Sequence, residues 1–356
     1  MNAVPASNTS TNVFGRSFPT PPPGVFGDEP PYERQAENIY ATTPDQATNG
    51  SRCNASSSMA DNLAQQKRDI TRRCTEAAQQ HKKPLLFGMT TSLMLQSVPI
   101  PSDCSISATA LHTVSSSHRK RVRTVSSPTT PHVWKPLGMA RNVHINRYVY
   151  ALDVIHTWAQ LAAYCSLESL IALGDAIITA IARKPSLAQG RSPETILSDM
   201  AECITAMPKF NAKSSCLLAL QFMAPRVDSP KESEIRITTT KYGLPQSVTN
   251  YVVPGVTFKS GTPITVDLAW PDFRVGIEYD GDQHRTDRAQ WRRDQEKREK
   301  LRHHNWVIII ATAASLADEP SRAELSYHVA RQLALRGAAF DFNLTETPLS
   351  RHRRRR

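Results

Sequence analysis

The stretch from Val266 to His284, VDLAWPDFRVGIEYDGDQH, holds two short apolar segments with acids set into them. Ile264 to Trp270 and Phe273 to Tyr279 are rich in β-branched and aromatic residues, and Pro271-Asp272 between them is turn chemistry. The pair therefore predicts a β-hairpin, whose second strand Asp280-Gly281 ends. Asp267 falls in the second half of the first strand and Glu278 near the end of the second, so a turn at Pro271-Asp272 sets the two acids side by side. Residues two apart in a strand share a face, which puts Asp280 with Glu278 if the strand runs that far. His284 follows after a short turn containing Gly281.

Working outward, Ser229-Pro230-Lys231-Glu232 has the form of a helix start: Ser at the N-cap, Pro at the first helical position, Glu three residues after the cap. That helix runs to about Tyr242 and stops at Gly243. Alternation from Tyr251 to Phe258 predicts another strand, turned by Ser260-Gly261. Downstream, a highly charged helix is expected from Asp287 to His304, and a short buried strand from Trp306 to Ala311. A last helix, Arg322 to Arg336, has Leu325, Val329, Leu333 and Leu335 as its apolar set. The order is α-β-β-β-α-β-α, a mixed sheet with helices packed on it.

Asp and Glu with a nearby His at strand ends suit a hard divalent cation such as Mg²⁺, or Mn²⁺ in its place. A cation held there polarises a phosphodiester oxygen and lowers the pKa of an attacking water. Glu232 has two readings: a capping-box residue only, or an acid that also completes the metal site from the first helix. The charged helix and its approach carry Arg285, Arg288, Arg292, Arg293, Lys297, Arg298, Lys300 and Arg302 against Asp287, Asp294, Glu296 and Glu299. Such a helix is either solvated and laced with i,i+4 pairs or a face that tracks phosphates, and one helix can do both. Lys plus Arg is 43 against 32 acids, a formal charge of +11, which favours an anionic partner such as DNA. The terminal run Arg351 to Arg356 reads as a non-specific, salt-sensitive nucleic-acid contact.

Residues 229 to 340 resemble the very-short-patch-repair-endonuclease-like family of the PD-(D/E)XK nuclease superfamily. The residues that carry the resemblance are Ser229-Pro230-x-Glu232, VDLAWP from Val266, VGIEYDGDQH from Val275, then Arg293-Asp294, Arg298, Leu301 and Asn305-Trp306. The resemblance implies a restriction-endonuclease-like α/β fold, a metal-dependent DNA endonuclease, and Asp267 and Glu278 as metal ligands. Asp280 stands where the superfamily has its lysine, so the lysine's role is not carried over. The resemblance instead implies metal or water positioning for Asp280, and proton transfer or phosphate contact for His284. Pro271-Asp272 is turn chemistry rather than the superfamily's Pro-Asp pair, since Asp267 occupies the acid position. The closer repair enzymes carry a structural zinc site, for which the six scattered cysteines offer no C-x-x-C pair.

Residues 59 to 225 read as a mainly helical α+β module. Helix is expected from Asp61 to Lys83, over two segments in 155 to 183, and in 193 to 206 and 214 to 224, with alternating stretches at Cys104 to Val114 and Val143 to Tyr150. The Ser/Thr-rich stretch around Arg119, Lys120, Arg121 and Arg123 reads as a solvated loop or a phosphate-contacting patch. The segments PLLFGMTTSLMLQSVPIP at 84 to 101 and HINRYVYALDVIHTWAQLAAYCSLESLIALGDAII at 144 to 178 resemble the abortive-infection type IV antitoxin family (AbiEi). That likeness implies a module set ahead of a nuclease-like domain, and a toxin–antitoxin or defence-system partner. Residues 1 to 58, with seven of the 25 prolines in the first 31 positions, read as disordered, and 341 to 356 as a basic disordered tail.

No run of 18 apolar residues and no secretory signal is visible, so the expected setting is cytoplasmic with no membrane partner. Two functional readings follow. One is an endonuclease of DNA repair or defence, in which a homodimer would permit double-strand cutting. The other is a non-catalytic DNA-binding regulator of antitoxin type that uses the nuclease fold as a platform.

Overall fold

The computed structural model describes residues 59–122, 129–281 and 288–352. The expectation for 1 to 58, and those for His284, Arg285, Asp287 and Arg353 to Arg356, lie outside the described residues.

The N-terminal half begins with α1 (Met59–Gln80), whose inner stripe of Leu63, Ile70, Cys74 and Ala77 is buried. It continues through β1 (Leu85–Phe87), α2 (Met89–Leu95), β2 (Leu111–Ser115), β3 (Thr129–Val133), β4 (Asn142–Asn146) and β5 (Val149–Leu152). Five helices follow: α3 (Val154–Leu161), α4 (Leu167–Arg183), α5 (Pro185–Ala188), α6 (Pro193–Ala206) and α7 (Lys213–Ala219). The strands form one mixed sheet in the order β3-β2-β1-β5-β4.

Three local departures from expectation have local causes. The stretch from Cys104 is not a strand until Leu111, because the Ser107 hydroxyl accepts from the Thr109 and Ala110 amides and holds a turn. The stretch 143 to 150 splits into β4 and β5 where the Asn146 carboxamide oxygen accepts from the Tyr148 and Val149 amides. β3 was hidden in a Ser/Thr-rich segment containing Pro131, a residue tolerated because β3 is an edge strand.

In the C-terminal half the observed order is α8 (Pro230–Lys241), β6 (Val248–Thr257), β7 (Pro263–Trp270), β8 (Val275–Tyr279), α9 (Arg288–His303), β9 (Val307–Ala311) and α10 (Glu319–Leu335). This is the α-β-β-β-α-β-α order expected, in a four-stranded mixed sheet β6-β7-β8-β9. The first three strands pair antiparallel, and β9 returns parallel to β8 across α9. β8 starts two residues later than expected because Pro271–Phe273 forms a 3-10 turn and Arg274 takes a left-handed φ of 50°.

One apolar layer joins Ile235 of α8, Tyr242 just past its end, and Leu325, Val329 and Leu333 of α10 to Leu268, Trp270, Val275 and Ile277 of the sheet. A second joins Leu301 of α9 and Trp306 to Val253, Ile264 and Val266. Leu335, expected in the apolar set of α10, is exposed. It lies ten residues from Leu325, about 80° off the stripe that Leu325, Val329 and Leu333 define at 3.6 residues per turn.

Two features join the halves. Asp175 of α4 is fully buried and receives Arg236 Nη2 at 2.5 Å and Ser233 Oγ at 2.8 Å from α8, and the Ala224 amide at 2.8 Å. Residues 341 to 352 do not form the disordered tail expected of them. The Asn343 and Thr347 amides donate to Tyr242 O and Lys241 O, each at 2.9 Å, and Leu349 is buried in the N-terminal core. Glu346 bridges Arg322 and Lys241, at 2.5 Å each. No described helix is long and apolar enough to cross a membrane.

Candidate active site

The start of α8 is built as its sequence indicates. Ser229 Oγ accepts the Glu232 amide at 3.2 Å, and Pro230 fills the first turn, where its missing N–H costs nothing. The reciprocal half of a capping box is absent. Glu232 Oε2 reaches past Ser229 to accept the Asp228 amide at 3.0 Å and Asn250 Nδ2 at 3.4 Å. Glu232 is thus a partner of the helix start and also a buried acid turned toward the sheet, where it feels the charge of Asp267.

The strands open at this point. The β7–β8 ladder runs from Trp270–Val275 to Leu268–Ile277. One more step would pair Asp267 with Glu278, but the Asp267 carboxylate instead accepts the Tyr279 amide at 2.9 Å. On the other side of β7, the pairs Thr249–Leu268 and Tyr251–Val266 place Asn250 opposite Asp267. Asn250 holds a left-handed φ of 43°, and its carboxamide donates to Arg226 O and to Glu232. Gly276, two residues before Glu278 on β8, has no room for a side chain, since a Cβ would lie 2.6 Å from Val266.

Glu278 Oε2 accepts Lys297 Nζ of α9 at 2.5 Å, while the buried Oε1 has no hydrogen-bond partner among the described residues. Burial, then the charge of Asp267, raises Glu278 to about 7 despite Lys297. Glu232 is also raised to about 7, by burial and then Asp267. Asp267 is raised by burial, with the Tyr279 amide and Lys297 opposing, and Asp228 adds further negative charge. Acids from α8, β7 and β8 therefore lie within reach of one another's charge, with Lys297 against Glu278, and burial raises all three above the ordinary carboxylate range. A cation arriving here would relieve that repulsion.

The other expected site residues are placed differently. Asp280 lies just past β8; its amide donates to Ala311 O at 2.8 Å, and its half-buried side chain is not tied into the Asp267–Glu278 contacts. Arg288 opens α9, with its side chain outside the described atoms. Arg292, Arg293 and Arg298 are exposed, and the Arg293 guanidinium stacks 4.4 Å over the Phe258 ring. Lys297, expected with them on a phosphate-tracking face, is turned into the acid cluster. The basic stretch near Arg119 forms an exposed 3-10 turn at His118–Lys120.

Among the described residues, no three His, Cys, Asp or Glu side chains already stand in the arrangement of a metal cage. Sequence reasoning missed Asp228, Asn250 and the inward turn of Lys297. Only Asn250 left a trace, as a weak strand former in the middle of a β-rich run.

No family model matches the chain, and no solved structure matches it. It is similar to two uncharacterized proteins of Mycobacterium tuberculosis, one from strain CDC 1551 and one from strain H37Rv, each 32% identical over 114 residues. The match covers 32% of this chain and 40% of each relative's length.

Proposed function

We propose that the protein is a metal-dependent endodeoxyribonuclease of restriction-endonuclease-like fold, serving DNA repair or defence. The observation that carries this reading is the convergence of Glu232, Asp267 and Glu278 at the place where β7 and β8 part. The donor set fits a hard divalent cation: it is all carboxylate oxygen, it includes Glu278 Oε1, which no described residue hydrogen-bonds, and Lys297 already supplies a positive charge to the same group. Asp267 and Glu278 would hold the ion, with Glu232 completing the set from α8 and Asp280 reaching it from the strand end. Bound Mg²⁺ or Mn²⁺ would supply Lewis-acid polarisation of a phosphodiester oxygen and a water acidic enough to attack.

The chain's own residues do the rest. Lys297 fixes one oxygen of Glu278 and leaves the other free to bind. The Tyr279 amide fixes Asp267 against rotation. Exposed Arg292 and Arg298 on α9 are available to backbone phosphates beside the site, consistent with the net charge of +11. His284 follows the same strand in sequence and is assigned proton transfer or phosphate contact.

The test is cleavage of supercoiled plasmid by purified protein with Mg²⁺, Mn²⁺ or EDTA, beside Asp267→Ala and Glu278→Ala. Nicking or linearisation that requires the metal and vanishes in both variants, with DNA binding retained, is expected. A gel shift without cutting under any metal would overturn the reading in favour of a DNA-binding regulator of antitoxin type.

A further inference from the structure

Cys104 lies in the loop between α2 and β2, and Cys165 in the turn between α3 and α4, far apart in sequence. The two segments run alongside one another. The Ser105 amide donates to Tyr164 O at 2.9 Å, the Ser105 hydroxyl donates to the same oxygen at 3.2 Å, and the Ser166 amide donates to Asp103 Oδ2 at 3.0 Å. One backbone bond joins 105 to 164 and the Asp103 side chain holds the 166 amide, so Cys104 and Cys165 lie beside one another between these contacts. A disulfide closes where Cα atoms stand roughly 4.4–6.8 Å apart, a separation that segments in direct contact offer.

The side chains agree with the backbone. The two thiols lie within reach of one another, both are half-buried, and both pack on the margin of the N-terminal core. The remaining described cysteines differ. Cys74 and Cys216 are fully buried, and burial keeps the Cys203 thiol protonated, at about 11.

We propose that Cys104 and Cys165 form a reversible, peroxide-sensitive disulfide that ties the loop after α2 to the start of α4. The bond between Cys104 and Cys165 pins the rim of a cavity lined by Pro101, Ser102, Ser166 and Ser169 on one side and by Lys231 and Lys241 of α8 on the other. The roles of the two sulfurs are unequal. Contact with Cys165 lowers the Cys104 thiol against the opposing effects of burial and Asp103, and the same contact, with burial, raises Cys165. Cys104 is therefore the attacking thiolate and Cys165 the resolving thiol.

With a hydroperoxide as oxidant, Cys104 Sγ attacks one peroxide oxygen. The S–O bond forms, the O–O bond breaks, and the departing oxygen takes a proton to leave as water or an alcohol. Cys165 Sγ then attacks the sulfur of the sulfenic acid. The S–S bond forms, the S–O bond breaks, and hydroxide leaves with the Cys165 proton as water. The two sulfurs give up two electrons in all, and the peroxide takes them.

The test uses the full chain, reduced, desalted and exposed to stoichiometric hydrogen peroxide, then alkylated and mapped without reduction by mass spectrometry. The expected result is loss of two free thiols per chain, one linked peptide pair containing Cys104 and Cys165, and full recovery with dithiothreitol. Cys165→Ser should stall as a sulfenic acid on Cys104, trapped by dimedone, and Cys203→Ser should behave as wild type. Six thiols still alkylatable after peroxide, links spread equally to other cysteines, or sulfinic acid on wild-type Cys104 without a link would each overturn the proposal. The wild-type map decides the matter even if a variant fails to fold, and none of these readouts depends on nuclease activity.

Discussion

Arg236→Met tests the buried contact that joins the two halves of the chain. The substitution keeps most of the side-chain volume but removes the guanidinium, which supplies Asp175 Oδ2 with a hydrogen bond and a positive charge. Asp175 would retain the Ser233 hydroxyl and the Ala224 amide, two neutral donors, at a site with no solvent exposure. Breaking a buried pair from one side costs about 3–5 kcal/mol, because the stranded charge keeps its desolvation penalty. That loss should appear in equilibrium urea unfolding followed by tryptophan fluorescence, with Trp158 reporting the N-terminal core and Trp270 the C-terminal sheet.

The sign of the pH dependence follows from Asp175, whose carboxyl burial raises above the ordinary range even with Arg236 present. Without Arg236 the carboxyl is raised further, so the folded variant binds a proton that the unfolded chain releases. Its stability is therefore greatest below the ordinary carboxylate pKa and is lost as pH rises. The variant should lie closer to wild type at pH 5 than at pH 8, and adding Asp175→Asn should recover much of the loss. A cost below about 1 kcal/mol, or the same cost at both pH values, would refute the argument that a stranded buried charge is the cause.

Further outcomes are expected at the acid cluster and at the C-terminal segment. Glu232 and Glu278, each raised to about 7 from 4.5, contribute stability that is complete below pH 4.5 and lost as pH passes 7. The metal-free melting temperature should therefore fall from pH 5 to 8, less so in Asp267→Asn, and millimolar Mg²⁺ should raise it more at pH 8 than at pH 5. An equal Mg²⁺ effect at both pH values would place the ion elsewhere. Lys297→Met should reduce plasmid cleavage by about 10- to 100-fold, the equivalent of a charged hydrogen bond worth roughly 1.5–3 kcal/mol, and move the pH profile upward as Glu278 loses its counter-charge. An unchanged profile would remove Lys297 from the site. Gly243 has a φ of 83°, and a Cβ there would lie 2.2 Å from Asp341 O, so Gly243→Ala should loosen residues 341 to 352 in hydrogen exchange. Unaltered protection at Asn343 and Thr347 would count against that contact.

Much of the C-terminal fold is legible in short-range sequence signals. The Ser229-Pro230-x-Glu232 start, the turn at Pro271-Asp272 and the apolar runs between charged segments determine the order α-β-β-β-α-β-α, because caps, turns and periodicity act within a few residues. The same signals place Asp267 and Glu278 on adjacent strands. Other features depend on pairing between distant residues, which leaves no periodic trace. Only the tertiary structure sends Glu232 beyond its cap to the sheet, turns Lys297 inward from an evenly charged helix, and seats Asn250 across from Asp267. It also buries Arg236 against Asp175 and draws residues 341 to 352 onto α8, where Phe342 and Leu349 give an otherwise polar segment apolar surface to bury. Local sequence determined which elements form and where their acids fall; long-range packing decided which of those acids share a site, since burial and charge act through space.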